Sequence, residues 1–183
     1  MDSAQATLFG QALPPRRRLS KRIGRDEFYT PAAIIDAARV VMGSIDLDIA
    51  SCPEANEVVQ AARYYTKTTD ALDQWWQAEN VWCNPPFGAA AIRAFCEKLL
   101  YHLGEGHIAR ACLLLPMTTG HHVLDVFGAC VAFVMLHPNI NGWRSPYNTS
   151  GRVPLGWVPF CVACWGVTVP ETRSAFAELG VVR

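Results

Sequence analysis

The chain has 183 residues, 51% of them hydrophobic and with zero net charge, which suits one compact domain with a full core and leaves no room for a second. It has no apolar run near the roughly 18 residues of a membrane helix, and its N-terminus lacks the charged-then-apolar order of a secretory signal, so a cytoplasmic protein away from the membrane is expected. Seven cysteines, an odd number scattered through apolar segments, read as reduced core residues rather than a disulfide framework.

Charge is unevenly spread. Residues 1–25 hold six basic residues (Arg16, Arg17, Arg18, Lys21, Arg22 and Arg25) against Asp2 alone, so this end carries about +5 and the remainder about −5. Small and polar residues, Pro14-Pro15 and no apolar periodicity predict a flexible basic arm over 1–25, ahead of a single domain over 26–183. The arm reads either as a contact to nucleic-acid phosphates or as a solvated tail.

From Ala32 to Met42 apolar residues recur at helical spacing behind Thr30-Pro31, which predicts a helix over about 31–42 with Thr30 as N-cap and Gly43 as terminator. Ser44 to Ser51 alternates apolar and acidic residues as a strand. A carboxylate on a strand entering a parallel sheet is costly unless it sits at the C-terminal edge, where α/β sheets bind ligands. Asp46 and Asp48 are both candidates, with Asp48 favoured. Glu54 to Tyr64 reads as a helix. Of Trp75-Trp76, one ring is expected in the core and the other on the surface.

Val81-Trp82-Cys83 is the end of a buried strand, and Asn84-Pro85-Pro86-Phe87-Gly88 must leave the sheet, since two prolines forbid continuing as strand or helix. The rings leave the loop little freedom, so Asn84 and the neighbouring carbonyls are presented rigidly. Such a loop has a chemical use. The exocyclic amino group of a base is a poor nucleophile because its lone pair is delocalised into the ring. If the Asn84 side-chain oxygen and the Pro85 carbonyl each accept one N–H, the lone pair can turn out of the ring plane towards an electrophilic methyl, and the same dipoles stabilise the charge that develops on nitrogen. Phe87 would stack on a base that has left its duplex.

Ala89 to Leu103 has helical spacing, Arg110 to Leu115 reads as a buried strand, Thr118 to Phe127 as a short helix and Cys130 to Leu136 as a strand. This alternation argues a doubly wound α/β domain. Residues 137–157 form a long irregular stretch in which Trp143, Tyr147 and Trp157 interleave with Arg144 and Arg152, fitting contact with DNA, a hairpin, or a lid. Val158 to Trp165 is strand-like and contains Cys161 and Cys164. With His121-His122 these do not make up a zinc ligand set, and no metal is expected. Glu171 to Leu179 reads as a terminal helix followed by a short tail.

The Asn-Pro-Pro-Phe loop resembles the motif of S-adenosylmethionine-dependent amino-group methyltransferases. A longer run resembles the phage-type, Dam-like DNA N6-adenine methyltransferases: Tyr29-Thr30-Pro31, Asp46-Leu47-Asp48-Ile49-Ala50-Ser51, Asn56, Tyr64-Tyr65-Thr66, Asp70 to Trp75, and Trp82 through Gly88. The resemblance implies a Rossmann-like methyltransferase fold, S-adenosylmethionine as cofactor, double-stranded DNA as partner and a bacterial or phage-infected host cell as setting. It makes Asn84, Pro85, Pro86 and Phe87 the catalytic candidates, and Tyr29, Thr30, Pro31, Asp46, Asp48, Ala50 and Asn56 the cofactor candidates. Arg16, Arg17, Arg18, Lys21, Arg22, Arg144 and Arg152 are the DNA-binding candidates.

The run departs from the wider methyltransferase pattern in lacking a Gly-x-Gly loop, with Ala50-Ser51-Cys52-Pro53 in its place. The interval from Asp48 to Asn84 is also short, which implies a compact fold with one crossover trimmed. The alternatives are methylation of an RNA base or a protein glutamine, or a catalytically silent nucleic-acid-binding relative.

Overall fold

The computed structural model describes residues 7–8, 11–12, 28–117, 126, 128–146 and 159–183. Within the segment expected to lack regular structure, strand β1 (Thr7–Leu8) pairs antiparallel with β2 (Gln11–Ala12). The other elements form one mixed α/β unit. They are helix α1 (Ala32–Met42), β3 (Leu47–Asp48), α2 (Pro53–Val59), β4 (Arg63–Tyr64), β5 (Ala78–Cys83), α3 (Ala89–Gly104), β6 (Ile108–Pro116), β7 (Ala132–Leu136), β8 (Phe160–Trp165), α4 (Val169–Ala175) and β9 (Gly180–Val182).

Seven strands lie in the order β4-β3-β5-β6-β8-β7-β9. The first four are mutually parallel, and the pairings β6–β8, β8–β7 and β7–β9 are antiparallel. Strand alternation divides the core in two. Trp82, Cys112, Leu114, Val162 and Cys164 face α1, while Val81, Cys83, Leu113, Cys161 and Ala163 face α3. Between β3 and β5 lie only α2, the two-residue β4 and a short 3-10 turn, Ala71–Asp73.

Three expected elements are corrected. The helix over 54–64 stops at Val59, because Gln60 takes a left-handed φ of 50° and the Asn56 side chain bonds the backbone of Ala61, which turns the chain into β4. The terminal helix runs only to Ala175, and the supposed tail joins the sheet as β9. Gly180 permits this: a Cβ there would stand 2.3 Å from the Met135 carbonyl oxygen, so a side chain would break the approach. Finally, Pro31 and not Thr30 occupies the N-cap position of α1, with no side-chain cap.

Other expectations match. Trp76 is fully buried and its Nε1 donates to the Ala71 carbonyl at 2.7 Å, whereas Trp75 is 55% exposed. All seven cysteines are unbridged, and Cys161 and Cys164 are interior residues of β8. Most of the short helix expected over Thr118 to Phe127, with His121 and His122, lies outside the described residues. No described helix is long and apolar enough to cross a membrane.

Helix α4 starts with a reciprocal cap in which Thr168 Oγ1 accepts from the Glu171 amide and the Glu171 carboxylate accepts from the Thr168 amide. Thr168→Ala is expected to lower stability by about 1 kcal/mol. Chemical denaturation would check this.

Candidate active site

Strand β5 ends at Cys83, and the next residue, Asn84, lies at the C-terminal edge of the parallel half of the sheet. Pro85 is buried, Pro86 and Phe87 are half-buried, and Gly88 caps α3. The loop therefore leaves the strand with its prolines packed, as their fixed φ angles require.

The orientation of the Asn84 amide follows from its partners. Asn84 Nδ2 donates to the Phe28 carbonyl oxygen at 2.7 Å and to Thr30 Oγ1 at 3.0 Å. A carbonyl can only accept, so the atom facing Phe28 must be the NH2 group. Asn84 Oδ1 is then left buried, with no hydrogen-bond partner among the described residues. Buried polar atoms are rarely left so. The oxygen is an acceptor held ready for a donor that the described residues do not supply.

Beside it runs β3, where Asp48 pairs in register with Trp82 and the Ile49 amide donates to the Trp82 carbonyl at 3.2 Å. Asp48 is 2% exposed, and its carboxylate accepts from the Ala50 amide at 3.1 Å. Burial pushes its pKa up from the ordinary 3.8 to about 6, offset in part by the hydrogen bond from the Ala50 amide. A half-compensated buried carboxylate favours a ligand that brings positive charge or hydroxyl donors. The following loop closes with Cys52, whose Sγ caps α2 by accepting from the Ala55 amide and lies 3.7 Å from the Tyr29 hydroxyl.

Tyr29, Thr30, Asp48, Ala50 and Asn84 thus meet at one sheet edge, with Pro31 buried beside them at the head of α1. Two cofactor candidates do other work. The Asp46 carboxylate accepts from Ser44 Oγ at 2.7 Å and from the Asn80 backbone and side-chain nitrogens at 3.0 and 3.2 Å, so it joins the beginnings of β3 and β5 away from that edge. The Asn56 amide is spent on both backbone groups of Ala61. Register sets Asp48 beside Trp82 and Asp46 on Asn80, and the sequence does not carry register.

Phe87 is also less free than its loop position suggests. Its ring stacks on Phe28, with centroids 5.5 Å apart and planes at 25°, and leans on Phe160 at 5.3 Å. Trp143 stacks on Phe160 in turn, at 4.6 Å. Sequence reasoning missed Phe28 and Phe160, because no local spacing joins rings so far apart in the chain. Nor did it assign Thr30 to Asn84. The Thr30-Pro31 pair before a helix was the available signal, and it pointed to capping instead.

Arg144 reaches the same mouth. Its carbonyl accepts from the Tyr29 amide at 2.8 Å, and its guanidinium lies 5.8 Å from the Tyr29 ring centroid. Arg16, Arg17, Arg18, Lys21, Arg22 and Arg152 lie outside the described residues.

A mixed α/β sheet with an Asn-Pro-Pro-aromatic loop at the end of a parallel strand is compatible with a methyltransferase. Residues 19–121 match the family model described as DNA N-6-adenine-methyltransferase (Dam). That is more than half of the chain, and the chain belongs to this family. Its function is methylation of adenine N6 in DNA, and nothing in the comparison favours RNA, glutamine or a silent relative. The match spans Thr30, Asp48 and Asn84, whereas Trp143 and Phe160 lie beyond it. Searches of curated proteins and of solved structures gave no significant match.

Proposed function

We propose that the chain is an S-adenosylmethionine-dependent, site-specific adenine methyltransferase acting on double-stranded DNA. Its fold is Rossmann-like with one crossover trimmed, in a single domain over 26–183 behind a basic arm. The observation that carries the reading is the buried Oδ1 of Asn84, without a hydrogen-bond partner among the described residues, at the edge where Asp48 also lies.

S-adenosylmethionine would supply an electrophilic methyl on a positively charged sulfur, together with ribose hydroxyls and an amino-acid end. The residues present fit it. Asp48 offers a carboxylate whose burial is offset by a cation or by hydroxyls, Tyr29 and Ala50 flank it, and Thr30 and Pro31 hold the neighbouring backbone. In the absence of a glycine loop, side chains do more of the holding.

Asn84 Oδ1 and the Pro85 carbonyl accept the two N–H bonds of adenine N6. This draws the nitrogen lone pair out of conjugation and orients it, and the two oxygen dipoles stabilise the developing positive charge. Pro86 keeps the loop from relaxing when the base arrives. Phe87 offers its ring to the flipped base as the Phe28 ring gives way, so unstacking in the duplex is partly matched by stacking in the protein.

Arg16, Arg17, Arg18, Lys21 and Arg22, with Arg144 and Arg152, bind phosphates. Replacing Arg16, Arg17 and Arg18 together with alanine is expected to lower the log–log salt slope of DNA binding by about 2.7, at roughly 0.9 per phosphate contact. Binding isotherms from low to moderate salt would check this.

The test of the reading is transfer of labelled methyl from S-adenosylmethionine to unmethylated duplex DNA, with RNA in parallel and nucleoside digestion of the product. Label in N6-methyladenine from DNA supports it. Label only in RNA would move the substrate class, and failure to bind S-adenosylmethionine would sink the cofactor assignment.

A further inference from the structure

We propose that Thr30 is a positioning residue for Asn84: with the Phe28 carbonyl, its hydroxyl locks the Asn84 amide so that Oδ1 faces the acceptor amino group. This deepens the methyltransferase reading and rests on it.

The geometry makes the case. An asparagine amide can turn over and exchange its oxygen for its nitrogen, and in one of the two poses Asn84 would present donors to an amino group that is itself a donor. The Phe28 carbonyl at 2.7 Å rejects that pose, because two oxygens would then face each other. Thr30 Oγ1, at 3.0 Å, engages the same nitrogen. Both N–H bonds of Asn84 then have acceptors, and the oxygen has no partner among the described residues.

A second observation shows that the Thr30 hydroxyl is committed here. Threonine just before a helix ordinarily caps it. At α1 the N-cap position falls to Pro31, with no side-chain hydrogen bond at all. The hydroxyl is withheld from the helix end beside it and given to a residue 54 positions away. Thr30 is also 8% exposed, so water does not compete freely for the bond. Its backbone is anchored on one side by the Tyr29–Arg144 bridge and on the other by α1. The segment that lies along the cofactor edge thereby sets the orientation of the group that receives the base.

The test compares Thr30→Val, which keeps shape and removes the hydroxyl, with Thr30→Ser, which restores it. For Thr30→Val, single-turnover methyl transfer at saturating S-adenosylmethionine and DNA should fall roughly ten- to a hundredfold, while calorimetric affinity for S-adenosylmethionine stays at the wild-type value. Thr30→Ser should recover most of the rate. In an Asn84→Ala background Thr30→Val should cost nothing further, because the residue acts through Asn84. Should valine disturb the fold, seen by circular dichroism, Thr30→Ala makes the same comparison without the added methyl.

A Thr30→Val enzyme with the wild-type rate overturns the proposal. So does one whose only defect is weaker S-adenosylmethionine binding, since that assigns Thr30 to the cofactor, and so does a loss that simply adds to that of Asn84→Ala. An independent readout is the side-chain amide signal of Asn84 in a nitrogen-15 spectrum, identified by its absence in Asn84→Ala. Slow hydrogen exchange of that group in wild type and fast exchange in Thr30→Val support the lock; equal exchange in both refutes it. If wild type transfers no methyl to DNA, the functional reading falls, and this signal still judges the Thr30–Asn84 contact.

Discussion

Asn84→Ala should leave a folded chain that binds S-adenosylmethionine as wild type does, yet methylates adenine roughly 10²–10³-fold more slowly, the range seen when one preorganised dipole is removed from a reacting centre. The expectation rests on Asn84 Oδ1 being buried and without a hydrogen-bond partner among the described residues. Two further variants separate acceptor chemistry from placement. Asn84→Asp keeps an acceptor but sets a carboxylate oxygen against the Phe28 carbonyl, where Nδ2 now donates at 2.7 Å. It should therefore also be impaired in this chain, by repulsion. Asn84→Gln keeps the chemistry and displaces the amide by one methylene. Single-turnover rates with calorimetric cofactor affinities would check all three, and an Asn84→Ala enzyme with wild-type turnover would remove the loop from the mechanism.

Asp48→Asn should move stability and cofactor binding in opposite directions. The folded-state pKa of Asp48, about 6, stands above its ordinary 3.8, so the folded chain holds this proton more tightly than the unfolded chain does. Stability from this group is accordingly present below about pH 4, is lost as pH rises towards 6, and stays lost above. The difference between the two values corresponds to about 3 kcal/mol. At neutral pH the free Asp48→Asn chain is expected to gain up to that amount over wild type, with the gain vanishing near pH 4.

Affinity for S-adenosylmethionine is expected to fall roughly 10- to 100-fold in the same variant, through loss of a charged hydrogen-bond acceptor. In wild type that affinity should weaken as pH drops below about 6, because the ligand favours the ionised carboxylate. Thermal unfolding and calorimetry across pH check both halves. Pinning the carboxylate at the site thus costs stability in the free chain, in keeping with a group kept for binding.

Much of the site was legible because its chemistry is local. Asn84-Pro85-Pro86-Phe87 lies within one loop, and two prolines after an apolar strand force the chain out of the sheet in any fold. Helices α1 and α3 were legible through apolar periodicity, since each has one face to bury. The short interval between Asp48 and Asn84 pointed to a compact arrangement, and the one strand between β3 and β5 is the two-residue β4, beside α2 and a short 3-10 turn.

Contacts decided by distance along the chain were not legible. Alternation allowed either Asp46 or Asp48 to face the ligand edge, and only the register of β3 against β5 placed Asp46 on Asn80 and Asp48 beside Trp82. Asn56 carried the marks of a binding residue and serves as a helix-ending clasp, because the Ala61 backbone offers both a donor and an acceptor within reach. The 171–179 segment looked helical throughout, yet the helix ends at Ala175 and a turn over 176–179 carries the following residues, Gly180–Val182, onto the open edge of β7.

By itself, then, the sequence determined the reaction class and singled out Asn84 as the residue proposed to receive the base, because a rigid strand-end loop and an amide acceptor need only a few adjacent residues. Which way that amide points was decided by the tertiary structure alone. An amide has two nearly equal poses until neighbours choose between them, and the Phe28 carbonyl that chooses, with the Thr30 hydroxyl that takes the second N–H, comes from a segment more than fifty residues upstream.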